Sequence, residues 1–316
     1  MMMKRNFIMK KEKLFNQNLI LGGCGFIGSQ LVEKIYKKDK LKIIDRLDFQ
    51  NKINIKSKNI TIYQKDLVDL KTLTKVSKNC KFIFHLAANV GVDNVGKNPI
   101  KTIEEEFIII KNLIKAMKFN NIKNLIFLSS SAVYGQVNFN KSVNEETIVA
   151  PESSYSIAKR HSEIYLKYCS KKYGLNISIV RPFNIYGKNQ DERMVIPRFL
   201  NRAKLNLPLI IYKDGKQTRD FTYIDDFIKC LIKLKRNKGY NVFNIARGKQ
   251  LSILKLAKII IKLTNSKSKI IFKKPPKSIE EFQIKKRCGD SIKFYNTYNY
   301  KPDTNVEKGI KLILNI

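Results

Sequence analysis

Histidine is almost missing from this chain. His85 and His161 are the two it has, too few for a histidine-rich metal centre, so no metal is expected. The five cysteines, Cys24, Cys80, Cys169, Cys230 and Cys288, are odd in number, scattered and free of any CxxC pair. That spacing excludes a disulfide scaffold and a zinc ribbon and fits a reducing, cytoplasmic setting. No run approaches the ~18 apolar residues of a membrane span, so no membrane partner is expected. Residues 1–16 read as a basic N-terminal extension, and no apolar core of a secretory signal follows before the first strand. Internal repeats and long low-complexity linkers are absent too.

Acidic residues are also scarce. Aspartate and glutamate number 26 against 62 lysines and arginines, which leaves a net charge of +36. Such an excess raises three anionic partners: nucleic acid, an anionic membrane or phosphorylated small molecules. Lysine, however, supplies 51 of the 62 basic residues and arginine 11. Isoleucine and asparagine are abundant as well, the bias of AT-rich coding. Arginine, the better fork for phosphates and base edges, is not enriched. We read the charge as a solvated lysine surface and do not expect a nucleic-acid partner.

What is present is a core. Hydrophobic residues make up 43% of 316, roughly two domains' worth of chain. Short apolar runs at 18–21, 41–44, 60–63, 82–86, 125–128 and 177–180 alternate with amphipathic stretches. In the longest stretch, 100–119, Ile103, Phe107, Ile110, Ile114 and Met117 recur at helical spacing. Continuous apolar strands separated by helices predict a Rossmann-type doubly wound parallel α/β sheet covered on both faces. After Arg181 prolines punctuate a looser pattern. The expected division is a Rossmann domain over 17–181 and a smaller α/β substrate-binding domain mainly over 182–316. Segments near 220–247 are candidates to return to the first domain.

Three constellations carry chemistry. Gly22-Gly23-Cys24-Gly25-Phe26-Ile27-Gly28 follows the first strand and opens the first helix. Glycines let backbone approach a pyrophosphate, and the helix N-terminus offers N–H groups to it. Asp45 ends the second strand, where an acid accepts from ribose hydroxyls and repels a 2′-phosphate, which favours NAD over NADP. Arg46 beside it keeps NADP open. A P-loop is excluded because Ser29, not lysine, follows Gly28. Second, Tyr155 and Lys159 form a YxxxK on a predicted helix, so both side chains share a face. A nearby ammonium favours phenolate, making Tyr155 a candidate general acid/base. Third, Ser129 to Gly135 follows the fifth strand at the carboxyl edge of the sheet, where open α/β folds bind ligands. No GxSxG is present, which argues against a serine hydrolase.

With these motifs in order the chain resembles the extended short-chain dehydrogenase/reductases that act on nucleotide sugars, with UDP-glucose 4-epimerase the best-known type. The resemblance spans about 19–314. It rests on the glycine turn, Asp66-Leu67, His85-Leu86-Ala87-Ala88, Ser129 to Gly135 and Tyr155 with Lys159. Arg181-Pro182-Phe183-Asn184-Ile185-Tyr186-Gly187 and Gly215-Lys216-Gln217-Thr218-Arg219-Asp220-Phe221 complete it. It implies Tyr155 as acid/base, Lys159 as its tuner and nicotinamide-ribose ligand, and Ser130 as the hydroxyl on the sugar oxygen. It implies cofactor contacts at Gly22, Gly25, Phe26, Ile27, Gly28, Asp45, Asp66, Leu67, Ala87 and Lys159. Ser130, Tyr155, Asn184, Arg219 and Arg287 are the implied substrate ligands, and His85 is implied as a loop-start residue.

The expected activity is C4 epimerisation of a UDP-hexose, with bound NAD and a homodimer packed through 100–119 and 154–171. Dehydratase relatives carry an Asp-Glu pair where this chain has Ser131 and Ala132, and decarboxylases usually a Glu at the latter. Open alternatives are a UDP-uronate decarboxylase, a 4,6-dehydratase, a plain carbonyl reductase or a non-catalytic nucleic-acid-binding derivative of the fold. Four departures stand out. Glu106 to Ile110 replaces the family's usual Asn-Val-x-Gly-Thr run, so that Glu106 and Ile109 take the places of asparagine and glycine. Lys213 occupies a glycine position, and Ala246-Arg247 replaces Gly-Ser.

Overall fold

The computed structural model describes residues 16–47, 51–88, 98–136, 142–276 and 287–316. The expected extension therefore lies, up to residue 15, outside the described residues. Seven strands form one sheet: β1 (Asn16–Leu21), β2 (Asp39–Asp45), β3 (Ile60–Gln64), β4 (Phe82–His85), β5 (Asn124–Leu128), β6 (Asn176–Pro182) and β11 (Tyr240–Ile245). Their order is β11-β6-β5-β4-β1-β2-β3, and every pairing is parallel. The sheet is doubly wound, as the apolar runs imply.

Alternation along the strands divides the core. Leu19, Leu21, Ile83, Leu125, Phe127, Ile177 and Ile179 face one cluster. Helices α2 (Leu70–Ser77), α3 (Pro99–Phe119) and α4 (Ser154–Tyr173) close it. Ile20, Phe84, Ile126 and Val180 face the other cluster, under α1 (Phe26–Ile35) and α6 (Ile224–Lys233). The inner strands β4, β5 and β6 are dry on both faces, which is why they read as unbroken apolar runs, while β3 at the edge stays partly exposed.

The remainder is built from small pieces. Helix α5 (Val195–Lys204) lies against a two-stranded parallel pair, β8 (Leu209–Tyr212) with β13 (Ile270–Lys273). β9 (Thr218–Asp220) pairs antiparallel with β12 (Gln250–Ser252), and β7 (Ile185–Tyr186) pairs with β10 (Thr222–Tyr223). Helices α7 (Ile253–Leu263), α8 (Ile292–Tyr298) and α9 (Val306–Leu314) complete it. Lys213 takes φ +56° at the turn after β8, the left-handed region that glycine fills without strain.

One helix face departs from the sequence reading. At the start of α3 the buried positions are Thr102 and Glu106, with Ile103 and Phe107 only half buried. Further along, Ile110, Leu113, Ile114 and Met117 face inward as their spacing implies. The first turns of α3 border the cleft at the end of the sheet, where a carboxylate can face inward if it finds a cation.

Candidate active site

The cleft opens at the carboxyl ends of β1, β2 and β4. It is lined by Gly22, Gly25, Asp45, Arg46, Asp66, Leu67 and Ala87, together with Glu105, Glu106 and Ile109 from α3. Gly22 has φ +76°, and a Cβ there would fall 2.6 Å from the Ala87 backbone nitrogen. The turn can therefore cross the end of β4 only without a side chain. Phe26, Ile27 and Gly28 form the first turn of α1, whose N-cap, Gly25, supplies no side-chain cap. The first turn also holds no acidic residue. An uncapped helix N-terminus behind a glycine turn suits a pyrophosphate.

Asp45 does two jobs locally. Its Oδ2 accepts from the Cys24 N–H at 2.9 Å and its Oδ1 from the Leu47 N–H at 3.0 Å. The acid thus fixes the glycine turn while remaining on the cleft wall. Arg46 leans toward Asp66, with Nη1 to Oδ2 at 3.9 Å. That pairing partly neutralises a cation that could favour a 2′-phosphate here. Ile109, at the glycine position, narrows the wall beside Leu67 and Ala87.

The catalytic candidates meet where β5 ends. Ser130 is the extended N-cap of the short 3-10 helix Ser131–Tyr134, and its Oγ accepts from the Ala132 N–H at 3.1 Å. Gly135 ends that turn with φ +68°, where a Cβ would collide with the Ala150 carbonyl. Ser153 and Ser156 form a capping box that starts α4. Tyr155 therefore lies in the first turn and Lys159 one turn on. The Tyr155 hydroxyl lies near Ser130, whose side chain favours the phenolate. Burial pushes the Tyr155 phenol above its ordinary value; Lys159 opposes this and Glu106 adds to it. Lys159 is buried, with Nζ 4.7 Å from the Phe127 ring centroid, and donates to Glu106 Oε1 at 2.8 Å.

His85 ends β4 and does not start a loop. It is fully buried edge-on to Phe127, its ring nitrogens without partners among the described residues. Burial pushes its pKa down to about 4, so the ring is neutral at working pH.

The substrate candidates gather from the second half. Arg287 is buried, and its Nη2 donates to the Gly135 carbonyl at 2.5 Å. Its Nε has no partner among the described residues. Arg219 is close enough that the two guanidiniums repel, and burial with that repulsion brings Arg287 down to about 10. Asp220 ties the backbone beside them together: its Oδ2 accepts from the Gly248 and Gly289 N–H groups at 3.0 and 3.1 Å. Burial lifts this carboxyl to about 6. Asn184 sits at φ +30°, exposed, its amide donating to the Asp220 carbonyl at 3.2 Å.

Two groups escaped the sequence reading. Glu106 stood out only as a departure, not as a partner of Lys159. Glu163 was not singled out at all, yet it accepts from Arg181 and Ser129 in the interior. Nothing in local spacing signals either contact.

The sequence profile of the NAD dependent epimerase/dehydratase family matches residues 18–246. The chain belongs to that family. Its members are extended short-chain dehydrogenase/reductases, and NAD is its cofactor. The uncapped turn and Asp45 fit NAD on geometry alone. The chain is 34% identical over 310 residues to the UDP-N-acetyl-alpha-D-glucosaminuronate decarboxylase of Bacillus cytotoxicus, covering 93% of this chain and 95% of that one. It is 33% identical over 276 residues to the dTDP-D-glucose 4,6-dehydratase of Dictyostelium discoideum, covering 80% of this chain but only 64% of that longer one. Among solved structures, the UDP-N-acetylglucosamine 4-epimerase of Methanobrevibacter ruminantium M1, in complex with UDP-N-acetylmuramic acid, aligns with a TM-score of 0.87. Identity to it is 33%, covering 95% of this chain and 97% of that one. Three reactions thus occur among relatives of nearly equal identity, so identity alone does not choose between them.

Proposed function

We propose that the protein is a nucleotide-sugar 4-epimerase that inverts C4 of a UDP-hexose through a 4-keto intermediate. The observation that carries this reading is the turn after Ser130. Its next residues are Ser131 and Ala132, and Ala132 spends its N–H on the Ser130 hydroxyl. Neither side chain can act as the extra acid that elimination of water needs. Ser130, Tyr155 and Lys159 suffice for oxidation and reduction at a single carbon.

NAD, when bound, supplies the hydride acceptor that later serves as donor. Tyr155 takes the proton of the C4 hydroxyl at its phenolic oxygen while the C4 hydride leaves. Ser130 donates a hydrogen bond to the same sugar oxygen as it becomes a carbonyl. After the keto sugar turns, hydride returns to the opposite face and Tyr155 gives the proton back. The two hydrogens removed are the two restored, so the product differs from the substrate only in configuration.

Arg287 and Arg219 support a diphosphate ligand. A buried and a half-buried cation that repel one another gain most from an anion between them, and Arg287 ties that pair to the turn after Ser130 through Gly135. The outer face of α4 supports a homodimer. Ile157, Ile164 and Tyr168 recur there at helical spacing and are exposed, as is Ile100 on α3; such a stripe suits burial against a second copy.

The test is product analysis by NMR after incubation with UDP-glucose, UDP-galactose, their N-acetyl forms and UDP-glucuronate. The expected product is a 4-epimer with no net reduced cofactor. Loss of water or carbon dioxide, or stoichiometric reduced cofactor, would overturn the reading.

A further inference from the structure

Lys159 meets a partner that the YxxxK spacing does not foretell. Its Nζ lies 2.8 Å from Glu106 Oε1, and the two side chains are 2% and 10% exposed. Glu106 comes from α3 and Lys159 from α4, helices that pack side by side on the sheet. The same Nζ lies 6.0 Å from the Tyr155 ring centroid. One cation therefore stands near both a phenol and a carboxylate.

Among the described residues, the other charged groups facing this cluster are few. His85 reaches it from β4 and is neutral, since burial holds it near 4. Glu105 lines the cleft from α3, and Asp45, Arg46 and Asp66 line it from the ends of β2 and β3. From the turn after β5, the Ser130 hydroxyl reaches Tyr155. Among the described residues, Glu106 is the one acid within ion-pair distance of Lys159.

We propose that Glu106 is a positioning residue of the catalytic centre, whose carboxylate pins the Lys159 ammonium so that Tyr155 faces a neutralised ion pair instead of a bare cation. The proposal rests on Tyr155 as the acid/base. Stability alone gives a poor reason for the pair, because two buried charges recover little beyond their desolvation cost. Its effect on the phenol is direct. A bare ammonium favours phenolate, and a carboxylate behind it weakens that pull. The direction agrees with the phenol itself: burial raises it, Lys159 lowers it and Glu106 raises it again. Tyr155 thus keeps its proton to higher pH than lysine alone would allow, which favours the form that returns a proton to the keto oxygen.

Glu106→Gln keeps the shape and an acceptor for Lys159 while removing the charge. Two readouts apply. The first is the near-ultraviolet phenolate titration of the protein without sugar, with the Tyr155→Phe protein subtracted. The second is the pH profile of kcat. Both midpoints should move to lower pH, and kcat on the acid limb should rise about tenfold, the scale of one neighbouring charge removed. KM should change little, and Glu106→Asp should restore the wild-type midpoint. Should Glu106→Gln not fold, Glu106→Asn is the second variant, with the same shift expected. If Glu106 merely props α3 against α4, turnover falls evenly with pH and the phenolate midpoint stays in place; that result would overturn the proposal. Because the titration needs no sugar, a moved midpoint with no turnover of any UDP-hexose would spare this proposal and defeat the epimerase reading.

Discussion

Two buried arginines flank the turn after Ser130 and are held in opposite ways. Arg181 donates through Nε and Nη2 to both oxygens of Glu163, at 2.9 and 2.6 Å, and through Nη1 to the Tyr134 hydroxyl at 2.9 Å. Burial works against its charge, and Glu163 more than offsets that, so its pKa is raised. Arg287 touches the very next residue, Gly135, but through one carbonyl. Burial and the repulsion of Arg219 lower it. The first arginine belongs to the fabric of the fold. The second is a charge that the fold keeps at a cost, which supports the proposed anionic ligand at that place.

The sharpest way to break this contrast is to remove each charge in turn. Arg181→Met leaves Glu163 buried and uncompensated, so stability should fall by about 3–5 kcal/mol in denaturant unfolding. Arg287→Met should leave stability unchanged or raised, because a repelled cation is lost. Its sugar-nucleotide affinity should instead drop tenfold to a hundredfold, on the order of a charged hydrogen bond, with NAD affinity intact. Equal destabilisation by both variants would erase the distinction.

Next in size is the base. Tyr155→Phe should cut turnover by about 10² or more, the usual scale of general acid/base help, while calorimetry shows NAD and sugar-nucleotide binding largely preserved. Near-normal turnover would remove Tyr155 from its role.

His85 tests the other kind of buried group, one that avoids charge. Its folded pKa near 4 lies below the unfolded 6.5, so the stability it confers is present above 6.5 and is lost as pH falls toward 4. Between pH 7 and pH 5 that loss amounts to about 2 kcal/mol. Asp220, raised from 3.8 to about 6, acts with the opposite sign, since its unfolded form releases the proton first as pH rises. Comparing wild type with His85→Leu at both pH values cancels Asp220 and isolates the histidine. A pH dependence unchanged by the substitution would contradict the assignment.

The smallest effect concerns the cofactor wall. Asp45→Ala should shrink the preference for NAD over NADP by roughly 1–2 kcal/mol, the scale of a hydrogen bond to a charged group. It should also cost some stability, since the Cys24 and Leu47 N–H groups lose their acceptor. Tighter NADP binding by the wild type would show that Arg46, not Asp45, governs the choice.

These tests follow the line between what the sequence could and could not display. Parallel strands buried on both faces appear as short apolar runs, so β1, β2, β4, β5 and β6 were legible, and β3 showed through its alternating isoleucines despite an exposed edge. The glycine turn and YxxxK were legible too, because helix and turn geometry ties function to fixed local spacing. Pairs such as β8 with β13 were not, since each is four residues long and their partners lie some 60 residues apart. The Lys159–Glu106 pair joins positions 53 apart and the Arg287–Gly135 contact joins positions 152 apart. Both depend on how finished elements pack. The first turns of α3 illustrate the limit: periodicity points Ile103 and Phe107 inward, but the cation on α4 lets Glu106 take the inner place.

The central claim, that oxidation and reduction both happen at C4, is tested most directly by following one hydrogen. A UDP-hexose carrying deuterium at C4 would be converted and its product examined by NMR and mass spectrometry. The account predicts that the label stays at C4 of the epimer, with no loss to solvent and no change in mass. Deuterium found at C6 of a product lighter by one water, or a product lighter by carbon dioxide, would contradict it.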